Sequence, residues 1–268
     1  MELFYITNDP AEAAAADNAG ADRIFVDTET IGKAERQRGL NTHLGTHTLE
    51  DVTAVKKAVK RAEIMVRINL LNTDTVNEIE QAIEYGADWI MLPMFTHSDE
   101  VKKVADIISG RAKFVALVET AAAMARLDDI INIAKPDEIH IGLNDLTISL
   151  GLSFLFEPLA YGLIDFAAEK LNKSKIKWGF GGIARIGEGA IPSEMILAEH
   201  RRLSSERVIL SRAFRPQQEE KHFCLADEIK RVREKIAEID IMTTEILEKN
   251  KFDISQRIKD VTANIRKG

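Results

Sequence analysis

The chain has 268 residues, 45% of them hydrophobic and 29% charged, which is the composition of a globular protein able to bury a large core. Its formal net charge of −7 argues against a general nucleic-acid binder, whose phosphate-facing surface must be basic, and no apolar run is long enough to span a membrane. A single cysteine, Cys224, rules out an intramolecular disulfide framework, and the acids Glu2, Asp9, Glu12 and Asp17 near the start do not read as a secretory leader, so a cytoplasmic protein is expected.

Short apolar runs then alternate with longer amphipathic ones. Strands are expected at Leu3–Thr7, Arg23–Asp27, Ile64–Asn69, Trp89–Met94, Phe114–Glu119, Glu138–Gly142, Lys177–Gly181 and Val208–Ser211. Several are apolar throughout, as strands buried on both faces should be. Helices are expected between them, at Pro10–Asn18, Leu49–Arg61, Thr73–Tyr85, Asp99–Ser109, Ala121–Ala134, Pro158–Asn172 and Pro192–Arg202, and again from Glu219 onward. Asp9 before Pro10 is a cap followed by a first-turn proline, and Thr48 caps a helix whose first turn holds Asp51. "DNAGAD" and "EYGAD" each close a helix at a glycine and enter the next strand.

Eight such units predict an α/β fold, a (β/α)8 TIM barrel. A doubly wound sheet competes less well, because "GFGGIARIG" lacks the spacing of a dinucleotide-binding loop. The barrel is expected over residues 1–242 and a C-terminal helical extension over 243–268. Ile254, Ile258, Val261 and Ile265 give the extension an apolar stripe, expected against the barrel exterior or another subunit. Cys224 reads as a half-buried helix residue.

In such a barrel, chemistry gathers at the C-terminal ends of the strands. Those ends offer Asp27 and Glu29, Arg67 and Asn69, Glu119, Asn144 and Asp145, Gly181 and Gly182, and Arg212. Glu119 and Asp145 fall on adjacent strands, close enough to share one ion, and two carboxylates without cysteine or histidine select a hard cation such as Mg²⁺ or Mn²⁺. Two protein ligands leave open positions for water and substrate. The structural alternatives are a salt bridge from Glu119 to Arg67 and a turn capped by Asp145 at "DLTIS".

The segments "GADWIMLPMFTHSDEV", "VALVETAAAM" and "IHIGLNDLTISLG", with "VDTET" and "VRIN" upstream in order, resemble the HpcH/HpaI aldolase and citrate lyase β-subunit family. The resemblance runs over roughly residues 20–215. It implies a metal-dependent carbon–carbon lyase of aldolase type, acting on a 2-oxo acid through a pyruvate-like enolate, in a homo-oligomer (dimer or hexamer). It places the metal ligands at Glu119 and Asp145, the arginine of the keto or enolate oxygen at Arg67, and supporting acids at Asp27 and Glu29. Substrate contacts are expected from Arg67, Gly142, Asn144 and Arg36. A citrate-lyase-like or malyl-CoA-like enzyme, a condensing enzyme, and a non-catalytic oxo-acid-binding barrel are the alternatives.

Three departures from the family pattern matter. Thr30 stands where the hydroxy-acid aldolases place a histidine as proposed base, and Leu143 replaces a usual proline. The stretch "IGKAERQRGLNTHLGTH" is longer than in the short aldolases and carries Lys33, Arg36, Arg38, His43 and His47. Its cations could grip a phosphate or second carboxylate, or could simply be solvated. His47, next to the barrel rim, is the candidate replacement base, with His43 behind it and bound water as the alternative. His97 reads as opening a helix, His140 as mid-strand, and His200 and His222 as surface helix residues.

Overall fold

In the computed structural model, which describes residues 1–32, 47–215 and 223–266, eight parallel strands close into a barrel in strict chain order. The strands are β1 (Glu2–Ile6), β2 (Arg23–Asp27), β3 (Glu63–Arg67), β4 (Trp89–Leu92), β5 (Lys113–Val118), β6 (Glu138–Ile141), β7 (Lys177–Ile183) and β8 (Arg207–Leu210). The first and last pair directly, Tyr5 standing opposite Leu210.

Alternation along the strands sorts residues into two cores. Outward-pointing Leu3, Ile24, Ile64, Ile90, Ala116 and Ile139 lie beneath the helices, all of them inaccessible to solvent. Inward-pointing Phe4, Phe25, Met65, Met91, Val115 and Leu117 fill the barrel waist. Below the waist the interior is ionic. Arg23 makes a forked contact with Glu138 (3.0 and 2.8 Å) and Arg207 Nε reaches the same carboxylate at 2.8 Å, while Glu2 bridges both arginines. Arg23 also lies over the Trp89 ring, 3.6 Å from its centroid.

The outer elements are α1 (Pro10–Ala19), α2 (Leu49–Ala58), α3 (Thr75–Glu84), α4 (Ser98–Ile108), α5 (Ala121–Ala125), α6 (Leu127–Asp129) with a π-helical turn at Ile130–Ala134, α7 (Leu143–Ser149), α8 (Glu157–Ala160), α9 (Leu163–Ser174), α10 (Ser193–Leu203), α11 (Leu225–Asp240) and α12 (Thr244–Ile265). The start of α1 is capped as its sequence dictates, Asp9 accepting from the N–H groups of Ala11 and Glu12 at 2.7 and 2.9 Å. α11 packs against α1 and α10 and closes the helical ring. α12 lies outside it on α8 and α10, burying Leu247, Ile254 and Ile258. Among the described residues no helix is long and apolar enough to cross a membrane.

Several elements differ from the sequence reading. The helix expected over Ala121–Ala134 breaks at Arg126, and the one expected from Pro158 divides at Gly162, whose φ of 78° lies in the left-handed region. A helix not expected at all, α7, follows β6 directly. The C-terminal helix begins at Leu225, and Glu219, where the expected helix started, lies outside the described residues. Cys224 is an exposed N-cap rather than half-buried, and His200 is not on the surface. It is wholly buried, stacked on Phe180 with centroids 3.8 Å apart, because α10 turns that position toward β7. His97 caps α4 as expected, and His222 lies outside the described residues.

Candidate active site

A cavity of about 390 Å³ opens at the C-terminal mouth of the barrel. Asp27, His47, Arg67, Glu119, Gly142, Asn144 and Asp145 all line it. The waist residues Phe25, Met91 and Leu117 form part of its floor, so charged groups at the mouth sit on an apolar base. Glu29 stands behind Arg67. Lys33, Arg36, Arg38 and His43 lie outside the described residues.

Glu119 follows β5 and is almost wholly buried. Its Oε1 accepts the backbone N–H of Met94 at 3.1 Å, and Met94 holds a φ of 57°, unusual for a residue with a side chain. Burial pushes its carboxyl up to about 8; Arg67 opposes the shift, and the neighbouring charges of Asp145 and Glu29 add to it. Gly142 is required here, since a Cβ at that position would stand 2.7 Å from Glu119 Oε2.

Asp145 reaches the cavity from a helix, not from the strand end expected. It lies in the first turn of α7, where Gly142 serves as N-cap, so it does not cap a turn. The helix start brings a carboxylate toward the positive end of its own dipole. Asn144, one residue earlier, is exposed at the rim.

Arg67 ends β3 and does not form the direct ion pair with Glu119. Its Nε and Nη2 bind the two oxygens of Asp27 at 2.8 and 2.7 Å, and Nη2 lies 3.5 Å from Glu29. The two acids hold the guanidinium firmly charged against the cost of burial. Nη1 takes no protein acceptor among the described residues. The β2 end is held in turn by Asn69, whose Oδ1 accepts from the N–H groups of Thr30 and Ile31 at 2.8 and 2.9 Å. Thr30 is thus tied to β3 and offers no proton acceptor comparable to an imidazole.

His47 is buried at the rim, and its Nδ1 accepts the backbone N–H of Asp27 at 3.0 Å. In the neutral ring that contact fixes the proton on Nε2. His47 lines the cavity beside Asp27.

Residues that the sequence reading did not assign to the site also line the cavity. His140 does, despite its mid-strand position, because every second residue of β6 points inward. Arg215 does so from the turn after β8, three residues beyond Arg212, which lines the cavity where the strand-end reading placed it. Arg215 carries no such signal.

An eight-stranded parallel barrel with carboxylates gathered at its C-terminal mouth has the architecture of a TIM-barrel enzyme. The family model described as HpcH/HpaI aldolase/citrate lyase matches residues 1–155, and the chain belongs to that family. Similar solved structures include an HpcH/HpaI aldolase from Desulfitobacterium hafniense DCB-2 (TM-score 0.61, 14% identity, 78% of this chain and 85% of that one). Another is an HpcH/HpaI aldolase/citrate lyase family protein from Burkholderia cenocepacia J2315 (0.63, 13% identity, 89% and 94%). A third is the citrate synthase SbnG (0.57, 16% identity, 78% and 84%). Among curated proteins, 97 residues are 28% identical to a pyruvate kinase of Methylorubrum extorquens, covering 36% of this chain. A pyruvate kinase of Agrobacterium vitis matches over 95 residues at 26%, covering 35%. The matched segment spans about 20% of the length of either kinase.

Proposed function

We propose that this protein is a metal-dependent carbon–carbon lyase of the aldolase type, acting on a 2-oxo acid through a pyruvate-like enolate. The observation that carries this reading is the buried Glu119 carboxylate, held beside Asp145 with Arg67 opposite, in a cavity large enough for a small acid. Two like charges in a dry site repel each other, and a dication between them would reverse that cost. The donor set fits Mg²⁺ or Mn²⁺: both ligands are hard oxygens, and the nearby imidazole Nδ1 is already committed to a backbone N–H. Among the described residues no cluster of three or more metal-binding side chains occurs, so an ion held by these two carboxylates would take its remaining ligands from water and substrate.

When bound, such an ion supplies Lewis-acid stabilisation of negative charge on a chelated oxo acid. The protein's own groups do the rest. Glu119 and Asp145 would fix the ion, Glu119 held by Met94 and given room by Gly142. Arg67, immobilised by Asp27 and Glu29, keeps Nη1 for the oxygen on which enolate charge develops, a donor already oriented before the reaction begins. His47 lines the same cavity with its Nδ1 held by the Asp27 N–H, and the hydroxyl proton released on C–C cleavage goes to water. Membership of an aldolase/citrate lyase family and the partial match to proteins named pyruvate kinase support a small oxo acid as substrate.

The test is proton exchange at the methyl group of pyruvate in D₂O, followed by NMR on chelator-stripped protein with and without Mg²⁺ or Mn²⁺. Exchange that depends on the ion is expected. Pyruvate that binds without exchanging under either ion overturns the enolate reading.

A further inference from the structure

The cavity is chemically lopsided. Among the described residues that line it, the carboxylates Asp27, Glu119 and Asp145 come from the β2, β5 and β6 side. The β8 side carries Arg212 and Arg215 and no acid. Neither arginine forms an ion pair among the described residues. Arg215 is positioned by Nη2, which donates to the Ile6 carbonyl at 2.8 Å, and it stands beside the Tyr5 hydroxyl. Arg212 opens a short 3-10 turn capped by Ser211, whose Oγ accepts the Ala213 N–H at 3.3 Å, and among the described residues it donates to no side chain or carbonyl. Two guanidinium groups at the wall of a cavity, with no carboxylate against them among the described residues, suit an anion.

Between the two ends the cavity wall is formed by Gly181 and Gly182, which have no side chain to project into it. Gly181 has a φ of 53°, and a Cβ there would meet Leu143 at 2.8 Å; one at Gly182 would meet the Ile209 carbonyl at 3.1 Å. β8 stands two strands round the barrel from β6, so the ends lie about 10 Å apart at ~4.8 Å per strand. A three-carbon acid held at Glu119, Asp145 and Arg67 covers only part of that backbone separation, and a longer acid with a terminal anion covers more of it.

We infer that Arg212 and Arg215 form a second anion subsite, which selects substrates bearing a carboxylate or phosphate on the half of the molecule remote from the oxo-acid head. The inference rests on the functional reading above for the position of that head. It assigns specificity to the far half, the part that leaves as the electrophile when the C–C bond breaks.

The experiment compares three ligands with one head and different tails, by calorimetry on the full chain with Mn²⁺: 2-oxoglutarate, 2-oxo-4-phosphonobutyrate and the uncharged-tail 2-oxopentanoate. At least one of the dianionic ligands should bind about tenfold or more tighter than 2-oxopentanoate, and which one it is separates a carboxylate subsite from a phosphate subsite. In Arg212→Gln, a change at an exposed residue with no ion pair among the described residues, that ratio should fall toward one. Arg215→Gln, checked for an unchanged melting temperature, should do the same. Equal affinity for all three ligands in the unmodified protein, or a ratio that survives both substitutions, overturns the subsite. Pyruvate exchange in the unmodified protein is scored separately. Selective dianion binding without exchange would retain the subsite and discard the enolate chemistry, whereas exchange without selectivity would do the reverse.

Discussion

At the scale of single residues, the site is a set of charges that would be costly apart. Glu119 is buried, crowded by Asp145 and Glu29, and only partly relieved by Arg67, which is why its carboxyl is pushed up to about 8. Glu119→Gln keeps an acceptor for the Met94 N–H and removes the cost of burying an acid among other carboxylates. It should therefore leave the melting temperature of metal-free protein at neutral pH unchanged or raise it. Metal-dependent exchange of pyruvate protons should fall by about a hundredfold or more, since the ion stabilises charge by several kcal/mol. Asp145→Asn should lower exchange similarly, and full exchange in either variant would sink the ligand assignment. Arg67→Lys keeps the charge and loses the fork that binds Asp27 at 2.8 and 2.7 Å. Its kcat should drop about tenfold or more, with Mn²⁺ affinity, read by electron paramagnetic resonance, within a fewfold of the parent. Equal losses in both would mean that Arg67 supports the metal and not the substrate. The residues that strand-end reasoning could find were those whose chemistry is in the side chain, namely Glu119, Arg67 and Asp27. What it could not find depends on the backbone. The Met94 N–H on Glu119, the Asp27 N–H on His47 and the delivery of Asp145 by a helix are invisible in residue types.

At the scale of elements, the periodicity that betrayed the eight strands also explains the errors at the helices. Each strand was placed within about two residues because burial on both faces leaves an unbroken apolar run. β2 was readable to the residue, flanked by Asp22 and ending in the half-exposed Asp27. α7 was missed because only 7 residues separate Gly142 from Leu150, too short for a 3.6-residue period to show. The break at Arg126 was missed because "AAAMARLDD" has uniformly high helix propensity and tertiary packing decides where it bends. Between β2 and β3, Asn69 performs a linking function that propensity cannot show. Its Oδ1 holds the backbone of Thr30 and Ile31. Asn69→Ala should leave those donors unpaired, cost about 1–3 kcal/mol in urea unfolding, and raise KM by loosening Asp27 behind Arg67. An unchanged KM would restrict Asn69 to stability. α12 poses a separate question. Its inner face is satisfied on its own barrel, yet Ile246, Phe252 and Ile265 remain exposed on it, and Ile241 just before it is 86% exposed. We propose that this surface belongs to a homo-oligomer, so Phe252→Glu should delay elution in gel filtration, and identical elution would remove that face from the interface.

At the scale of the whole molecule, the barrel interior is titratable from end to end, and its stability should record that. His140 points inward from β6 between the ionic layer below and the cavity above. The Phe4 ring lies 6.1 Å away, and Nε2 is 3.1 Å from the Gly181 carbonyl, which requires the proton on that nitrogen. Burial pushes the imidazole down to about 4; Glu138 and the Gly181 carbonyl oppose the shift, while Arg23 and Arg207 reinforce it. Buried His200 is driven the same way, first by desolvation and then by His140. The folded pKa therefore lies below the value of about 6.5 in the unfolded chain, which takes up the proton first as the solution is acidified. His140 costs nothing above pH ~6.5, and stability is lost as pH falls from there toward 4, by about 3 kcal/mol at the lower limit. Glu119, with its raised carboxyl, shifts metal-free stability in the opposite direction over an overlapping range, so the useful quantity is a difference between two proteins. His140→Gln keeps a donor for Gly181 and cannot be protonated. The unfolding free energy of the parent, measured in urea between pH 7.5 and 5, should fall more steeply than that of the variant, the gap widening by up to about 1.4 kcal/mol per pH unit once below 6.5. Parallel curves would mean that His140 does not titrate on unfolding, and the acid sensitivity of the barrel would then belong to the Arg23–Glu138–Arg207 layer beneath it.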